Sequence, residues 1–414
     1  MKGTVMRPSF YDAFSCVGGE CRNNCCTVDW GILVTKEEFR KLRNMVKSEE
    51  LQEVFRSCFI PTDKKETVKF NQCANYYITN QGGTGECPFL NEARLCKLYT
   101  ECRPENMPRT CRVFPRFGNT FLGVQMATLS TGCEEVVRLL LAEKDGIRMT
   151  DSPREIVADL PFASGKQFIV NNRPIADYYG DLLVLIMGIL QNRDYTFPER
   201  MLCLGIACQY IDKLEKRDEL EKIPATVDDF LLQMEEEGSL HLHEQIKNMK
   251  KNRTLRILTV SKIVFQAKNS LSDWGDKMVE GLQMTKQQTG EKKYFLTCDE
   301  AILEEKEKAF LAFLQDKEHL FENLILNCVL VEGFPFGHQL GIWENYCLFA
   351  LIYDCFYVLL MSIVKQNTTE EELIDAIVVL SRAILHSNKQ KEHMEKFLHE
   401  QEWETLAHMA YMVL

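Results

Sequence analysis

The chain has 414 residues, 45% hydrophobic and 26% charged, a globular mixture that excludes a disordered chain, a collagen-like chain and a coiled-coil rod. Its net charge is −11, and a general nucleic-acid binder carries a basic surplus, so no nucleic-acid partner is expected. The charge is uneven: residues 1–150 hold 21 basic and 18 acidic side chains, net +3, and residues 151–414 hold 28 and 42, net −14. Such a division points to two regions with different work.

In chain order, Met1 to Pro8 opens no apolar signal core, so the chain is expected in the cytoplasm with reduced thiols. Thr35-Lys36-Glu37-Glu38 is a capping box, and a helix should follow through Phe39, Leu42, Met45 and Val46. Strands are expected at Asn75 to Thr79 and Phe121 to Leu129. Between them, Gln81-Gly82-Gly83-Thr84-Gly85 reads as a turn, because Pro88 comes too soon for the helix that a phosphate loop requires.

From Val136 onward the pattern is helical, with a Pro-rich connector over 151–176 and a short strand at Phe168-Ile169-Val170. Helices are expected at 177–192, 198–216, 226–237, 239–249, 254–269, 299–331, 341–365, 369–386 and 389–413. Thr369-Glu370-Glu371-Glu372 is a second capping box. The apolar run from Tyr346 to Val364 contains Asp354 and reads as a buried helix, so no transmembrane segment is expected. The fold class is therefore mainly α: a small irregular Cys-rich α+β N-terminal domain, 1–150, packed on a large α-helical domain, 151–414.

Eleven of the 17 cysteines lie in the first 133 residues, and all eight histidines lie after residue 240. A metal site in the first third must therefore be thiolate-rich and free of imidazole. Cys16-Val17-Gly18-Gly19-Glu20-Cys21-Arg22-Asn23-Asn24-Cys25-Cys26 places four sulfurs within 11 residues around two glycines. Tight spacing without histidine suits an iron–sulfur cluster or a four-cysteine zinc site. The adjacent Cys25 and Cys26 should point apart, so one of them serves elsewhere. Cys87, Cys96, Cys111 and Cys133 follow at longer spacing and need tertiary closure to join a site. Cys203, Cys208, Cys298, Cys328, Cys347 and Cys355 sit in apolar helical stretches and read as packing.

The motifs Phe14-x-Cys16, Cys21, Cys25-Cys26, Cys87-Pro88-Phe89-Leu90, Cys96-x-x-Tyr99 and Pro108-x-x-Cys111-Arg112-x-Phe114-Pro115 resemble the YkgJ-like zinc- or iron-chelating family. Pro8-x-x-Tyr11-x-x-Phe14, Cys26-x-x-x-Trp30-x-Ile32, Cys133-x-Glu135-Val136-x-Arg138, Glu332-Gly333-Phe334-Pro335-Phe336-Gly337 and Glu344-x-Tyr346 bring it closer to one branch, the flagellin lysine-N-methylases of the FliB family. The resemblance implies methylation of flagellin lysines with S-adenosylmethionine as donor. It also implies an iron–sulfur cluster, 4Fe–4S or with zinc in its place, on ligands among Cys16, Cys21, Cys25, Cys26, Cys87, Cys96, Cys111 and Cys133. The cysteine spacing departs from that of ordinary radical enzymes using the same donor, and no glycine-rich dinucleotide fingerprint is visible.

Arg109 and Arg112 flank Cys111 and are the candidates for the donor's carboxylate or for the cluster's charge. Glu344 and Tyr346 are the catalytic candidates, to receive a substrate amine, against a helix-start role. Trp30 and Trp343 read as core anchors, and His241 with His243, at i and i+2, share no helical face for a metal. The competing reading is a non-catalytic chelating domain carried by a helical interaction scaffold.

Overall fold

The structure, a computed structural model, describes residues 4–28, 32–61, 74–78, 86–121, 124–153, 173–235, 244, 251–290, 293–337 and 340–414. The turn expected at 81–85, the strand at 168–170, Trp30, His241, His243 and nearly all of the helix at 239–249 lie outside the described residues. The chain divides into two compact units, Met1–Leu139 with Met149–Gln167, and Leu140–Arg148 with Phe168–Leu414.

Among the described residues the first unit carries two small sheets. One runs β5 (Arg116–Phe121), β6 (Val124–Leu129), β1 (Thr4–Pro8), β7 (Met149–Pro153). The single strand expected at Phe121 to Leu129 is half of a hairpin, paired Phe121↔Val124 through Arg116↔Leu129. Its first arm escaped notice because Arg116-Phe117-Gly118-Asn119-Thr120 lacks apolar alternation. β1 lies parallel to β6 and antiparallel to β7, with Val5 opposite both Gln125 and Ser152. This pairing returns the chain to the first unit after residue 148.

The second sheet runs β2 (Ile32–Thr35), β4 (Ala74–Ile78), β3 (Phe59–Pro61). The capping box forms as expected: Thr35 Oγ1 accepts from Glu38 N, and Glu38 Oε2 accepts from Thr35 N at 2.8 Å. Helices Lys36–Met45 and Glu49–Cys58 then turn Leu42, Leu51, Phe55 and Cys58 inward onto Val34, Phe59, Phe89 and Leu98. Cys87 and Cys96 lie at the margin of this core, so apolar packing fixes the segments that carry them.

The second unit is helical, and its centre is Ile342–Ile363, buried on every face as a hydrophobic-all-round helix must be. It is long and apolar enough to cross a membrane, but 94% of its apolar window is buried inside the protein. Phe197–Lys216, Arg253–Gln266, Trp274–Gly281, Glu370–Ile384, Asn388–Glu400 and Leu406–Val413 surround it. The helices expected at 299–331 and 389–413 each divide in two, as Glu300–Leu314 with Glu318–Glu332, and Asn388–Glu400 with Leu406–Val413. A hairpin, Thr285–Gly290 with Lys293–Thr297, and the helix Trp274–Gly281 were not legible in the sequence.

Buried charges tie these helices together. Glu322 takes Arg193 at 2.9 Å and Arg200 at 2.6 Å, and Lys391 meets Glu332 at 2.7 Å. The Glu332-to-Gly337 motif is thereby structural: its acid is in that pair, Phe334 stacks on Phe349 with centroids 4.8 Å apart, and Phe336 lies under Arg173.

Candidate functional site

The eight candidate cysteines all lie in the first unit, on several segments linked by the contacts that follow. Cys16 and Cys21 flank a one-turn helix, Gly18–Glu20. Gly18 has φ +58°, and a Cβ on Gly19 would stand 2.6 Å from Ala93 O, so both glycines are required by this turn. Cys25 and Cys26 open a second such turn, Cys25–Thr27, whose Asn24 side chain accepts from Cys26 N at 2.8 Å. Cys87 N donates to Cys26 O at 2.6 Å. Cys96 closes an isolated bridge with Leu90 and starts the helix Lys97–Cys102.

Cys111 sits on the short helix Arg109–Val113, whose first amide is capped by Glu38 Oε1 at 2.7 Å. Glu38 therefore finishes two helix starts with its two oxygens. Cys133 precedes the helix Glu134–Ala142, and buried Glu134 accepts from Asn23 N at 2.8 Å and from Arg22 N at 3.3 Å.

These thiols influence one another. Hydrogen bonds to Cys25 and Cys87 push the Cys26 thiol up, and the same bond from Cys26 holds Cys87 below its ordinary value. Burial raises Cys21 to about 12, with Glu134 adding to it, and raises Cys133 to about 11. Burial raises Cys111 too, reinforced by the charges of Cys96, Cys87 and Cys25. Burial and proximity hold most of these sulfurs as thiols, and a bound metal cation would favour their thiolates. No described cysteine is paired in a disulfide. Among the described residues, no three His, Cys, Asp or Glu side chains already stand at coordination spacing. By its donor chemistry, thiols without imidazole, the set fits a thiophilic metal or an iron–sulfur cluster.

Cys58 and Cys102 are buried in the apolar core, as are Cys203, Cys208, Cys328, Cys347 and Cys355 in the second unit. Arg112 donates to Glu105 O at 2.9 Å, and its buried Nε has no hydrogen-bond partner. Arg109 is exposed. Arg116, which also neighbours Cys111 in sequence, lies over the Phe14 ring at 4.9 Å. That contact explains part of the Tyr11-x-x-Phe14 motif.

Glu344 and Tyr346 belong to the second unit. Glu344 is the third residue of its helix and folds back toward Gly341: a Cβ there would stand 2.1 Å from Oε2 and 3.3 Å from Asp212 Oδ1. This is a helix-start position, favourable to an acid beside the helix dipole. Yet Oε2 is buried and has no hydrogen-bond partner. Tyr346, expected beside the substrate amine, is a core side chain. It is fully buried, stacks on Trp343, seats its ring against Gly205 and donates its hydroxyl to Met201 O at 2.8 Å. Trp343 is likewise an anchor, donating to Glu404 O at 2.9 Å.

Tyr346→Phe accordingly costs about 1 kcal/mol in urea unfolding, one buried hydrogen bond, and leaves any activity of the chain within severalfold of wild type. A loss of activity by orders of magnitude with stability intact would return the hydroxyl to the chemistry. Sequence reasoning missed Asn24, Asp212 and Glu134, whose roles depend on contacts that spacing does not encode.

No solved structure matches the chain. It is 28% identical over 148 residues to a lysine-N-methylase of Salmonella typhimurium, covering 36% of this chain and 35% of that one. A flagellar biosynthetic protein FliU of Salmonella muenchen is 30% identical over 146 residues, 35% of this chain and 82% of its own. The match thus spans about a third of the length of the curated lysine-N-methylase. Residues 184–412 match the family described as the FliB lysine N-methylase C-terminal domain. That span holds Glu344 and Tyr346 and none of the N-terminal cysteines. Because it covers more than half of the chain, this protein belongs to the FliB lysine N-methylase family.

Proposed function

We propose that this chain is a cytoplasmic protein-lysine N-methyltransferase that acts on flagellin, with S-adenosylmethionine as donor and a cysteine-bound iron–sulfur cluster. The observation that supports the reading is the set of eight cysteines, free of disulfides and carried by the first unit, in a chain of a lysine N-methylase family. The flagellar name of one relative supports flagellin as the substrate. The net −14 of residues 151–414 favours the approach of a lysine-bearing surface. A 4Fe–4S centre is the first choice of cluster, and zinc on the same thiolates is the alternative.

A sulfonium methyl group is already activated, so the protein's task is to present a neutral amine in line with it. As the N–C bond forms the S–C bond breaks, a thioether leaves, and the amine must shed a proton. Lysine has an ordinary pKa near 10.4, so a base or a dry pocket is required. Glu344 is the assigned base, because its buried Oε2 is unpartnered; buried Asp212 beside it is already paired with Lys216 at 2.8 Å. Arg112, and Arg109 beside it in sequence, are assigned to the donor's carboxylate, since Arg112 Nε lacks a partner. A bound cluster would cross-link the cysteine segments and supply one-electron chemistry.

The test is methyl transfer. Protein purified without oxygen, given labelled donor and flagellin, puts label on lysine ε-nitrogens. Glu344→Gln lowers that rate by ~10²–10⁴-fold, the usual worth of a general base, while stability changes by no more than the ~1 kcal/mol of a helix-start charge. Metal-loaded protein that leaves flagellin unlabelled overturns the reading in favour of a chelating scaffold.

A further inference from the structure

Packing alone does not account for the Pro8-x-x-Tyr11-x-x-Phe14 motif. Tyr11 is 5% exposed, yet its hydroxyl has no hydrogen-bond partner. A buried hydroxyl in that state is costly and calls for a reason, since phenylalanine would fill the same space without the cost.

The fold brings two guanidinium groups to this tyrosine. β1 runs parallel to β6, with Val5 opposite Gln125 and Met6 opposite Met126, and it leaves the sheet at Pro8 for the one-turn helix Tyr11–Ala13. β6 ends at Leu129, which pairs with Arg116, the first residue of β5. Tyr11 and Arg116 therefore lie at the same end of the four-stranded sheet. Tyr11 and Phe14 stand three residues apart around a 3-10 turn, closed by Phe14 N donating to Tyr11 O at 3.4 Å, and that spacing turns both rings to one side. The Arg116 guanidinium is centred 4.9 Å over Phe14, and that of Arg7 lies 5.9 Å from the centre of the Tyr11 ring.

The charges of these groups do not balance. Arg7 is paired with Asp12. Arg116 has the Phe14 ring and, among the described residues, no carboxylate. It stands beside the Tyr11 oxygen without the geometry of a hydrogen bond. Burial pushes the phenol up to about 12, against the pull of Arg116 and Arg7, so at neutral pH Tyr11 keeps its proton and can only gain by donating it to an acceptor. A water molecule would serve the hydroxyl and leave the Arg116 charge unmatched.

We infer that Tyr11, Arg116 and Arg7 form a binding site for the carboxylate of a small organic acid, with the Tyr11 hydroxyl and the Arg116 guanidinium as its two donors. The inference goes beyond the proposed function and does not rest on it. A monoanion matches the single unmatched positive charge, whereas a phosphate dianion would exceed it. A carboxylate also offers two oxygens, one for each donor. A guanidinium lying on an aromatic ring by its face keeps its N–H edge for hydrogen bonds, which is the part Phe14 plays. Arg7, its side chain 13% exposed, and half-buried Arg116 form the way in, so the carboxylate enters first and the remainder of the acid stays toward solvent.

The test is a thermal-midpoint titration of the full chain with sodium acetate against sodium chloride at equal ionic strength, joined to saturation-transfer NMR on the acetate methyl protons. The wild type should gain a saturable rise in midpoint and show transfer to acetate. Arg116→Gln should weaken acetate binding ~10–100-fold, the usual worth of a hydrogen bond to a charged group. Arg116→Lys keeps the charge and should keep part of the response, which separates a lost site from a lost fold. Tyr11→Phe gives the sharper result: without acetate its midpoint should equal or exceed wild type, because an unpartnered hydroxyl is removed, while its acetate response falls. A wild type that answers acetate no more than chloride, an equal response in Arg116→Gln, or phosphate raising the midpoint more than acetate overturns the proposal. So does a Tyr11→Phe midpoint far below wild type without acetate, which would mean that the hydroxyl already has a partner.

Discussion

Asp354→Ala destabilises the helical unit by about 3–5 kcal/mol, the largest single-residue effect expected in the chain. The Arg256 guanidinium is buried, bonded through Nε to Asp354 Oδ1, and centred 4.0 Å over the Tyr357 ring. Removing the carboxylate strands a cation that cannot shed its proton in the interior. Its contacts with Tyr357 and Tyr353 return at most about 2 kcal/mol. Arg256→Met is milder, because Asp354 can neutralise itself: burial already pushes its carboxyl up to about 7. The sign is that of an acid whose folded pKa is raised. Its folded form holds the extra proton, so Arg256→Met is most stable in acid and loses stability as pH rises through neutrality. Arg256→Met with Asp354→Leu recovers most of the loss. Urea unfolding followed by far-UV dichroism at pH 6 and pH 8 checks all three, and an Asp354→Ala midpoint equal to wild type would refute the argument.

Gly281→Ala is the second. Gly281 ends the helix Trp274–Gly281 against the end of Ile342–Ile363, where an added Cβ would stand 1.7 Å from Ser362 O and 2.7 Å from its carbonyl carbon. The obstacle is backbone, which cannot rotate away. Both helices must shift, and the cost lies at or above the upper end of the ~1–3 kcal/mol usual for overpacking. Gly180→Ala is the control: nothing lies within 4 Å of that Cβ, and alanine in a helix gains up to ~1 kcal/mol over glycine. Opposite shifts in thermal midpoint for the two variants are the expected result.

What the sequence revealed follows from how local each signal is. Thr35-x-x-Glu38 and Thr369-x-x-Glu372 are complete within four residues, and both capping boxes form. The run around Asp354 reads as a buried helix because a 19-residue apolar stretch with an acid near its middle is borderline for a membrane span, although nothing local names that acid's partner Arg256, 98 residues away. The four-stranded sheet was not legible, since β1 pairs with β6 and β7 across more than 100 residues and its members are short and polar. The cysteines were legible as a set because thiols clustered in sequence demand a reason. Their supports were not: Glu134 and Asn24 look like ordinary surface side chains until the fold buries them. Tyr346 shows the opposite error, in which a residue next to an acid in a recurring motif is there to fill space against Gly205.

The central helix has a consequence for how the chain is made. Ile342–Ile363 is apolar on all sides, and three of the helices that cover it, Glu370–Ile384, Asn388–Glu400 and Leu406–Val413, lie after it in the chain. At ~5–20 residues per second, several seconds pass on the ribosome between the synthesis of Ile363 and that of Leu406. A chain released before those helices are made carries an apolar segment that lacks three of its covering surfaces and that a chaperone would read as a client. The partners encoded upstream, Phe197–Lys216 and Arg253–Gln266, are the surfaces already available to receive it. Synthesis order thus sets these two helices as the cradle and the last three as the lid, and a chain truncated between the two sets would be prone to aggregate.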